Sequence, residues 1–133
     1  MIYLVEDDAA LRSSLIAMIK ESAQLEVSGS SGTEQEACDW LQRHSADWRL
    51  AVVDLFLLQG SGLGVLSSLR ERQTGQKIVV LTNYATPDIR RRALALGADA
   101  VFDKGRELQD FLAYCSALSG SDNKAQPAPA PSD

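Results

Sequence analysis

The sequence has little cysteine and histidine and no long apolar run, and each shortage excludes a class of protein. It contains two cysteines, Cys38 and Cys115, and one histidine, His44. These are too few for a disulfide framework or for a zinc site built from nitrogen and sulfur ligands. No apolar run reaches the roughly 18 residues that a membrane-spanning helix needs. The N-terminal run turns acidic at Glu6, where a secretory signal would continue, so we expect a cytoplasmic protein with no membrane segment.

Positive charge is also scarce. The 133 residues include 13 lysines and arginines against 18 aspartates and glutamates, which gives a net charge of −5. Proteins that bind the phosphate backbone of nucleic acids need a net basic surface, so we expect no direct nucleic-acid contact by this chain. The composition is otherwise that of a globular domain, with 45% hydrophobic and 23% charged residues, and a chain of this length can bury its own core.

Short apolar runs alternate with helical patterns five times along the chain. The runs lie at residues 2–5, 25–28, 50–53, 78–81 and 100–102. Unbroken apolar runs are typical of parallel strands that are buried on both faces, and a regular β–α alternation favours right-handed crossovers. We therefore predict a flavodoxin-like α/β fold: a doubly wound, five-stranded parallel sheet of order 2-1-3-4-5 with five helices. The first and last helices should cover one face and the middle three the other.

The composition also suggests where helices begin and where the domain ends. Thr33, with Glu36 three residues later, has the spacing of a capping box at a helix start. After Leu118 the sequence becomes rich in serine, glycine, alanine and proline, which is typical of a linker. We therefore predict one domain over residues 1–118 and a disordered tail or linker over residues 119–133.

Charged and hydroxyl side chains follow the predicted strands. They are Glu6, Asp7 and Asp8 after the first, Asp54 after the third, Thr82, Asn83 and Tyr84 after the fourth, and Asp103 and Lys104 after the fifth. Strand carboxyl ends meet at the ligand-binding edge of an open α/β sheet, so these groups should converge. Neighbouring carboxylates repel each other, and a set of oxygen ligands completed by water suits Mg²⁺. A lysine can hold a phosphoryl oxygen and a free carboxylate can attack phosphorus, which predicts aspartyl-phosphate chemistry.

Four stretches of the sequence resemble the receiver domain of bacterial two-component response regulators. They are residues 2–12 (IYLVEDDAALR), 52–66 (VVDLFLLQGSGLGVL), 79–82 (VVLT) and 96–104 (LGADAVFDK), in that order. The resemblance implies phosphoryl transfer from a sensor histidine kinase or a histidine phosphotransfer protein, with Mg²⁺ as the cofactor. It also implies a switched surface that contacts a downstream protein or an output domain. Such a chain is a signalling protein that supplies groups for its own phosphorylation, not an enzyme in the ordinary sense.

The resemblance assigns roles to the acidic residues. Asp54 resembles the phosphoacceptor, Asp7 the direct magnesium ligand, and Glu6 the acidic neighbour that reaches the metal through water. The backbone carbonyl of Phe56, two residues past the acceptor, resembles the third protein ligand. Asp8 is expected to cap the first helix or to support the metal ligands from outside.

The resemblance also assigns the groups that would respond to phosphorylation. Thr82 resembles the switch hydroxyl and Lys104 the lysine that contacts the phosphoryl group, with Asn83 in a supporting position. The family's aromatic switch residue normally lies three residues before the lysine, where this sequence has Val101. Tyr84, two residues past the threonine, is the candidate substitute.

Two further positions depart from the family pattern, and neither removes the chemistry. Gly105 follows the lysine where the family frequently has proline, and Leu58 stands four residues past Asp54 where proline is common.

The run of three arginines at residues 90–92 is interpreted as a solvated helix face.

Other functions remain as alternatives. A receiver-like binding module could act without phosphorylation, and Val101 favours this hypothesis. The chain could also be a receiver from a longer regulator with a DNA-binding output domain, and a phosphorylation-dependent homodimer is a further alternative. A haloacid-dehalogenase-type hydrolase is disfavoured, because Phe56 stands where that class has its second aspartate. Phe56 and Tyr84 instead suggest an apolar wall that keeps water from a phosphoaspartate, which predicts a long-lived phosphorylated form.

Overall fold

The computed structural model describes residues 1–23 and 25–125, and in this part of the chain strands and helices alternate. The strands are β1 (Ile2–Val5), β2 (Val27–Ser31), β3 (Leu50–Val53), β4 (Lys77–Thr82) and β5 (Ala100–Asp103). The helices are α1 (Ala9–Ala23), α2 (Glu34–Arg43), α3 (Gly62–Ser68), α4 (Pro87–Ala95) and α5 (Leu108–Ala125). None of the helices in the described ranges has the length and hydropathy of a membrane span.

The five strands form one parallel sheet in the order β2-β1-β3-β4-β5, which confirms the predicted topology. Val5 pairs with Val53 in the register of β1 and β3. The next residues, Glu6 and Asp54, therefore leave the sheet side by side, and the Asp54 N–H donates to the Val5 carbonyl at 3.0 Å.

Two apolar cores hold the helices against the sheet. One face packs against α2, α3 and α4, and the other against α1 and α5, as predicted. Along β3, the side chains alternate between the two cores, with Val53 in the first and Val52 in the second. Each fully buried Leu, Ile or Val contributes about 1.5–3 kcal/mol relative to its exposed state. Cys38 packs against the first core and Cys115 lies in the second, and both thiols are free.

An aromatic stack joins β1 to α2. The Trp40 ring lies between Tyr3, with centroids 4.2 Å apart, and His44, with centroids 4.0 Å apart. Gly29 on β2 makes room for it, because a Cβ there would lie 3.0 Å from Tyr3 Cε1 and 3.1 Å from Trp40 Nε1. The Thr33 side chain accepts from the Glu36 N–H at 3.1 Å, so the predicted N-cap of α2 is present.

One predicted strand boundary was wrong, and one helix runs past the predicted end of the domain. β2 begins at Val27, later than the apolar run at residues 25–28, because its polar residues pair along one edge of β1. The boundary predicted after Leu118 falls inside α5, which continues to Ala125. No proline precedes Pro127 in that stretch, so nothing blocks the helical hydrogen bonds. The rest of the predicted tail, residues 126–133, lies outside the described residues.

Candidate functional site

A pocket of about 190 Å³ opens at the carboxyl edge of the sheet. It is lined by Glu6, Asp7, Asp8, Leu11, Asp54, Phe56, Asn83, Tyr84 and Lys104. These residues come from the segments that follow β1, β3, β4 and β5. The convergence expected from the sequence therefore occurs for these groups except Thr82 and Asp103, which do not line the pocket.

Three carboxylates form the acidic centre of the pocket. One oxygen from each of Glu6, Asp7 and Asp54 lies within 4.8 Å of the others. Glu6 and Asp54 are buried and Asp7 is partly exposed. Like charges this close together repel, so the cluster favours a cation. Three carboxylate oxygens that open onto a pocket form a ligand set suited to a hard divalent ion.

Lys104 already supplies one positive charge to this centre. Its Nζ donates to Glu6 Oε1 at 2.5 Å and to Asp54 Oδ2 at 2.8 Å. Burial alone would lower the pKa of Lys104, but the hydrogen bonds to Asp54 and Glu6 outweigh that effect and raise it. The lysine is therefore charged at neutral pH.

Glu6 has a different electrostatic balance. Burial raises the pKa of Glu6, and the hydrogen bonds from Lys104 and from the Asp8 N–H only partly oppose this effect. The Arg12 guanidinium donates to the Glu6 carbonyl at 2.5 Å, which fixes the backbone at this point. Ionisation of Glu6 is therefore less favourable in the folded protein than in water.

The other oxygen of the Asp54 carboxylate is held by the backbone. Asp54 Oδ1 accepts from the Phe56 N–H at 3.1 Å, while Oδ2 accepts from Lys104. The side chain is only 9% exposed, although it lines the pocket. A reacting group that enters the pocket would meet this carboxylate in a defined orientation.

Asp8 and Thr82 have local partners. Asp8 Oδ1 accepts from the Leu11 N–H at 3.0 Å, so Asp8 caps α1, and its side chain also lines the pocket. Thr82 is fully buried, and its Oγ1 accepts from the Tyr84 N–H at 3.3 Å. The Thr82 carbonyl accepts from the Lys104 N–H at 2.9 Å, so Thr82 lies directly behind the pocket and touches both segments that flank it.

Two aromatic rings cover one side of the pocket. Phe56 and Tyr84 meet edge to face, with centroids 5.0 Å apart and planes at 72°. They are 47% and 60% exposed, so the rings present apolar surface to solvent beside the charged groups. Val101 lies in the core under α2, α3 and α4, whereas Phe102 packs on the opposite face, as the alternation along β5 predicts.

The interpretation of residues 90–92 as a solvated face was wrong for Arg90. Its guanidinium donates to the Ala85 carbonyl at 3.0 Å, to the Val101 carbonyl at 2.9 Å and to Glu107 Oε1 at 2.6 Å. The hydrogen bond from Arg90 lowers the pKa of Glu107. No local spacing signals this contact, because folding alone brings α4 and the start of α5 together.

The β3–α3 loop also contains a contact that sequence reasoning missed. The Leu58 N–H donates to Asp7 Oδ2 at 2.6 Å. The donor is a backbone group, so the identity of the side chain gives no signal of it. The loop leaves the pocket after Asp54 and comes back to it at Leu58, which contacts Asp7 although the two residues are 51 positions apart in the sequence.

The parallel α/β sheet with a carboxylate cluster and a buried lysine at its carboxyl edge is the architecture of a receiver-type signalling domain. The chain belongs to the response regulator receiver domain family, whose model matches residues 2–115. Receiver domains are the modules of two-component systems that interact with histidine kinases and output domains.

Three known proteins illustrate the similarity. The chain is 29% identical over 109 residues to the transcriptional regulatory protein DesR of Bacillus subtilis, covering 82% of this chain and 50% of that protein. It is 33% identical over 109 residues to the photosynthetic apparatus regulatory protein RegA of Rhodobacter capsulatus. That alignment covers 81% of this chain and 56% of RegA. The chain thus spans about half the length of these curated relatives. A solved CheY-like receiver domain from Methanospirillum hungatei has a TM-score of 0.73 at 25% identity, covering 92% of this chain and 95% of that one.

Proposed function

We propose that this chain accepts a phosphoryl group on Asp54 from a phosphohistidine of a sensor histidine kinase or a histidine phosphotransfer protein. The observation that carries this proposal is the environment of the Asp54 carboxylate. Lys104 Nζ lies 2.8 Å from one of its oxygens, and oxygens of Glu6 and Asp7 lie within 4.8 Å. A carboxylate that lines a pocket, with a lysine ammonium on one side and two further carboxylates that could hold a metal ion on the other, is suited to attack phosphorus.

The residues present fit a magnesium ion. The side chains of Glu6, Asp7 and Asp54, with the carbonyl of Phe56, would hold it. Three carboxylates face a single lysine charge, so a net negative charge remains for a divalent cation to neutralise. When bound, Mg²⁺ would neutralise charge that develops on the transferring phosphoryl group.

The reaction needs little covalent chemistry from the protein. An oxygen of the Asp54 carboxylate forms a bond to phosphorus, the phosphorus–nitrogen bond of the donor breaks, and its electron pair returns to the imidazole. Lys104 would hold a phosphoryl oxygen, and the buried Thr82 hydroxyl would offer a second donor after a local change around Tyr84. Because the Lys104 N–H also binds the Thr82 carbonyl, both segments would respond to the same event.

The output of this chain would be a change in its contacts. The segment around Thr82 and Tyr84, together with β5, would shift between two states and present a different surface to a downstream protein or an output domain. This function implies a cytoplasmic location. We infer that the receiver unit ends within α5 and that the residues after it serve as a tail or a linker.

A phosphorylation-independent binding module is the second candidate. Val101 in place of the family's aromatic residue favours it, as does the Thr82 side chain, which is buried and not on the pocket surface. In that case the acidic pocket would be retained without a role in switching.

Incubation with Mg²⁺ and a small acyl phosphate, followed by intact-mass measurement, separates these candidates. We expect the wild-type protein to gain one phosphoryl group, and Asp54→Asn or an excess of metal chelator to prevent the gain. A wild-type mass that does not change would favour the binding module. A gain that persists in Asp54→Asn would show that the acceptor has been assigned wrongly.

A further inference from the structure

We infer that the backbone N–H of Leu58 is a positioning group for the metal site: it orients the Asp7 carboxylate and thereby sets the affinity for Mg²⁺. This inference rests on the proposed function, because it assigns a role to a residue beside the same cluster. The Leu58 N–H donates to Asp7 Oδ2 at 2.6 Å. Hydrogen bonds to a charged acceptor are short and roughly twice as strong as neutral ones.

The hydrogen bond restricts a side chain that would otherwise have rotational freedom. Asp7 is only partly buried, and an aspartate at such a position can adopt more than one rotamer. With Oδ2 held by Leu58, the carboxylate keeps an oxygen within 4.8 Å of the oxygens of Glu6 and Asp54. Partners that orient a metal ligand in this way raise metal affinity because the ligand is already in place.

The loop that carries Leu58 is anchored to the start of α2. The Glu34 N–H donates to the Gln59 carbonyl at 3.2 Å, and Glu34 Oε1 accepts from the Ser61 N–H at 2.8 Å. Gly60, between these two points, has a φ of 84°, and a Cβ there would collide with the Glu34 side chain. The position of the Leu58 N–H is therefore determined by contacts outside the pocket.

The first residue of α3, where this loop ends, lies directly against the backbone of the proposed acceptor. A Cβ at Gly62 would collide with the Asp54 carbonyl, and the Gly62 N–H donates to the Leu55 carbonyl at 3.0 Å. The end of the loop therefore packs closely against the Asp54 backbone. It connects the acceptor, the Asp7 ligand and the N-terminus of α2 in one hydrogen-bonded unit.

The side chain of Leu58 contributes little to this arrangement. It is 90% exposed, so the residue could be replaced with no loss of core packing. What matters at this position is the N–H, which every residue except proline provides. The family pattern commonly has proline here, so a change of one exposed residue would add or remove a hydrogen bond to a metal ligand.

The experiment compares Leu58→Pro with Leu58→Ala. Both remove the exposed side chain, but only proline removes the N–H. Titration of isotope-labelled protein with Mg²⁺ alone, followed by amide chemical shifts, gives the Kd without any phosphoryl transfer. We expect Leu58→Ala to match the wild type and Leu58→Pro to bind Mg²⁺ roughly 10-fold or more weakly. Equal or tighter binding by Leu58→Pro would overturn the inference.

A second measurement covers the case in which Leu58→Pro does not fold. Amide hydrogen exchange at Leu58 should be slower in the metal-free wild type than in metal-free Asp7→Ala, because the substitution removes the acceptor. Equal exchange rates would overturn the inference even if Mg²⁺ binds normally. If instead the wild type binds no Mg²⁺ but the exchange difference is present, the positioning contact exists and the proposed metal-dependent function fails.

Discussion

Lys104 Nζ lies 2.8 Å from Asp54 Oδ2, and this contact joins the end of β5 to the end of β3 past the intervening β4. The same ammonium group binds Glu6. One largely buried cation thus serves two largely buried carboxylates, so both the stability and the chemistry of this edge depend on the charge balance at Lys104.

Replacement of Lys104 with methionine should destabilise the protein. The substitution leaves Glu6 and Asp54 without their shared cation. We expect the free energy of unfolding to fall by about 2 kcal/mol at neutral pH. This loss is smaller than that for a fully enclosed ion pair, because the pocket admits water. Urea denaturation measures this change. Added Mg²⁺ should restore part of the loss by binding the folded state. Lys20→Met, at an exposed position on α1, is the control and should have little effect.

Glu6→Gln should make the protein more stable at neutral pH. The raised pKa means that the folded protein binds the Glu6 proton more tightly than the unfolded chain does. The stability that Glu6 contributes is therefore fully present when the pH is below the ordinary glutamate pKa of 4.5. It is lost as the pH rises through the raised pKa of the folded protein. Urea midpoints should show an advantage of Glu6→Gln at neutral pH that disappears below 4.5. Glu21→Gln, at an exposed position on α1, should show no such advantage, and the interpretation is wrong if both variants behave alike.

The aromatic pair should protect a phosphorylated Asp54 from water. Phe56 and Tyr84 meet with ring centroids 5.0 Å apart and line the same pocket as Asp54, so we expect the two rings to limit the access of water from one side. In the variant that combines Phe56→Asn with Tyr84→Ala, we expect the phosphoryl group to be lost severalfold faster than in the wild type. The loss is measured by intact mass over time after removal of the donor. Leu94→Ala removes another exposed apolar side chain and should not change the rate; unchanged loss in the double variant would contradict the prediction.

Arg90→Ala should loosen the segment that carries Lys104. Arg90 joins Ala85, Val101 and Glu107, and we expect its loss to lower the free energy of unfolding by about 1 kcal/mol. Amide exchange at Gly105 should become faster. Arg91→Ala is the matched control, because the Arg91 side chain is 72% exposed and pairs only with the surface residue Asp88 in the contacts described. Equal effects of the two substitutions on stability and on amide exchange would mean that the Arg90 hydrogen bonds do not stabilise this segment.

The Arg90 contacts should also show a pH dependence. Arg90 lowers the pKa of Glu107, so the folded state favours the ionised carboxylate. The contribution of Glu107 to stability is therefore fully present when the pH is above the ordinary glutamate pKa of 4.5. It is lost as the pH falls through the lowered pKa of the folded protein. Glu107→Gln should flatten the acid side of the stability curve, measured by thermal unfolding. A curve of unchanged slope would contradict the assignment.

The sequence predicts the fold well because the signals for it are local. The unbroken run at β3 (Leu50–Val53) and the alternation with helical patterns identify a buried parallel sheet and its helical layers. The convergence of residues at the pocket could be predicted for the same reason. Glu6, Asp54 and Lys104 each follow the end of a strand, so their convergence depends only on the topology and not on details of packing.

The features that the sequence did not predict depend on tertiary packing or on the backbone. Arg90 reaches Glu107 through the packing of α4 on β5, and the Leu58 N–H reaches Asp7 whatever side chain Leu58 has. The continuation of α5 past Leu118 was not predicted, because the polar residues after Leu118 resemble a linker in composition, although no proline interrupts them before Pro127. In each case the sequence identifies the residues but not the partner or the conformation.

The stacked rings of Tyr3, Trp40 and His44 give the protein an optical reporter on the side of the sheet that packs against α2. Neither Trp40 nor the buried Trp48 lines the acidic pocket, so indole emission would not respond directly to a charge added there. A change in fluorescence after phosphorylation would instead measure how far the disturbance travels along β1, from Glu6 back to Tyr3. A silent spectrum would confine the response to the α4 and β5 side of the molecule.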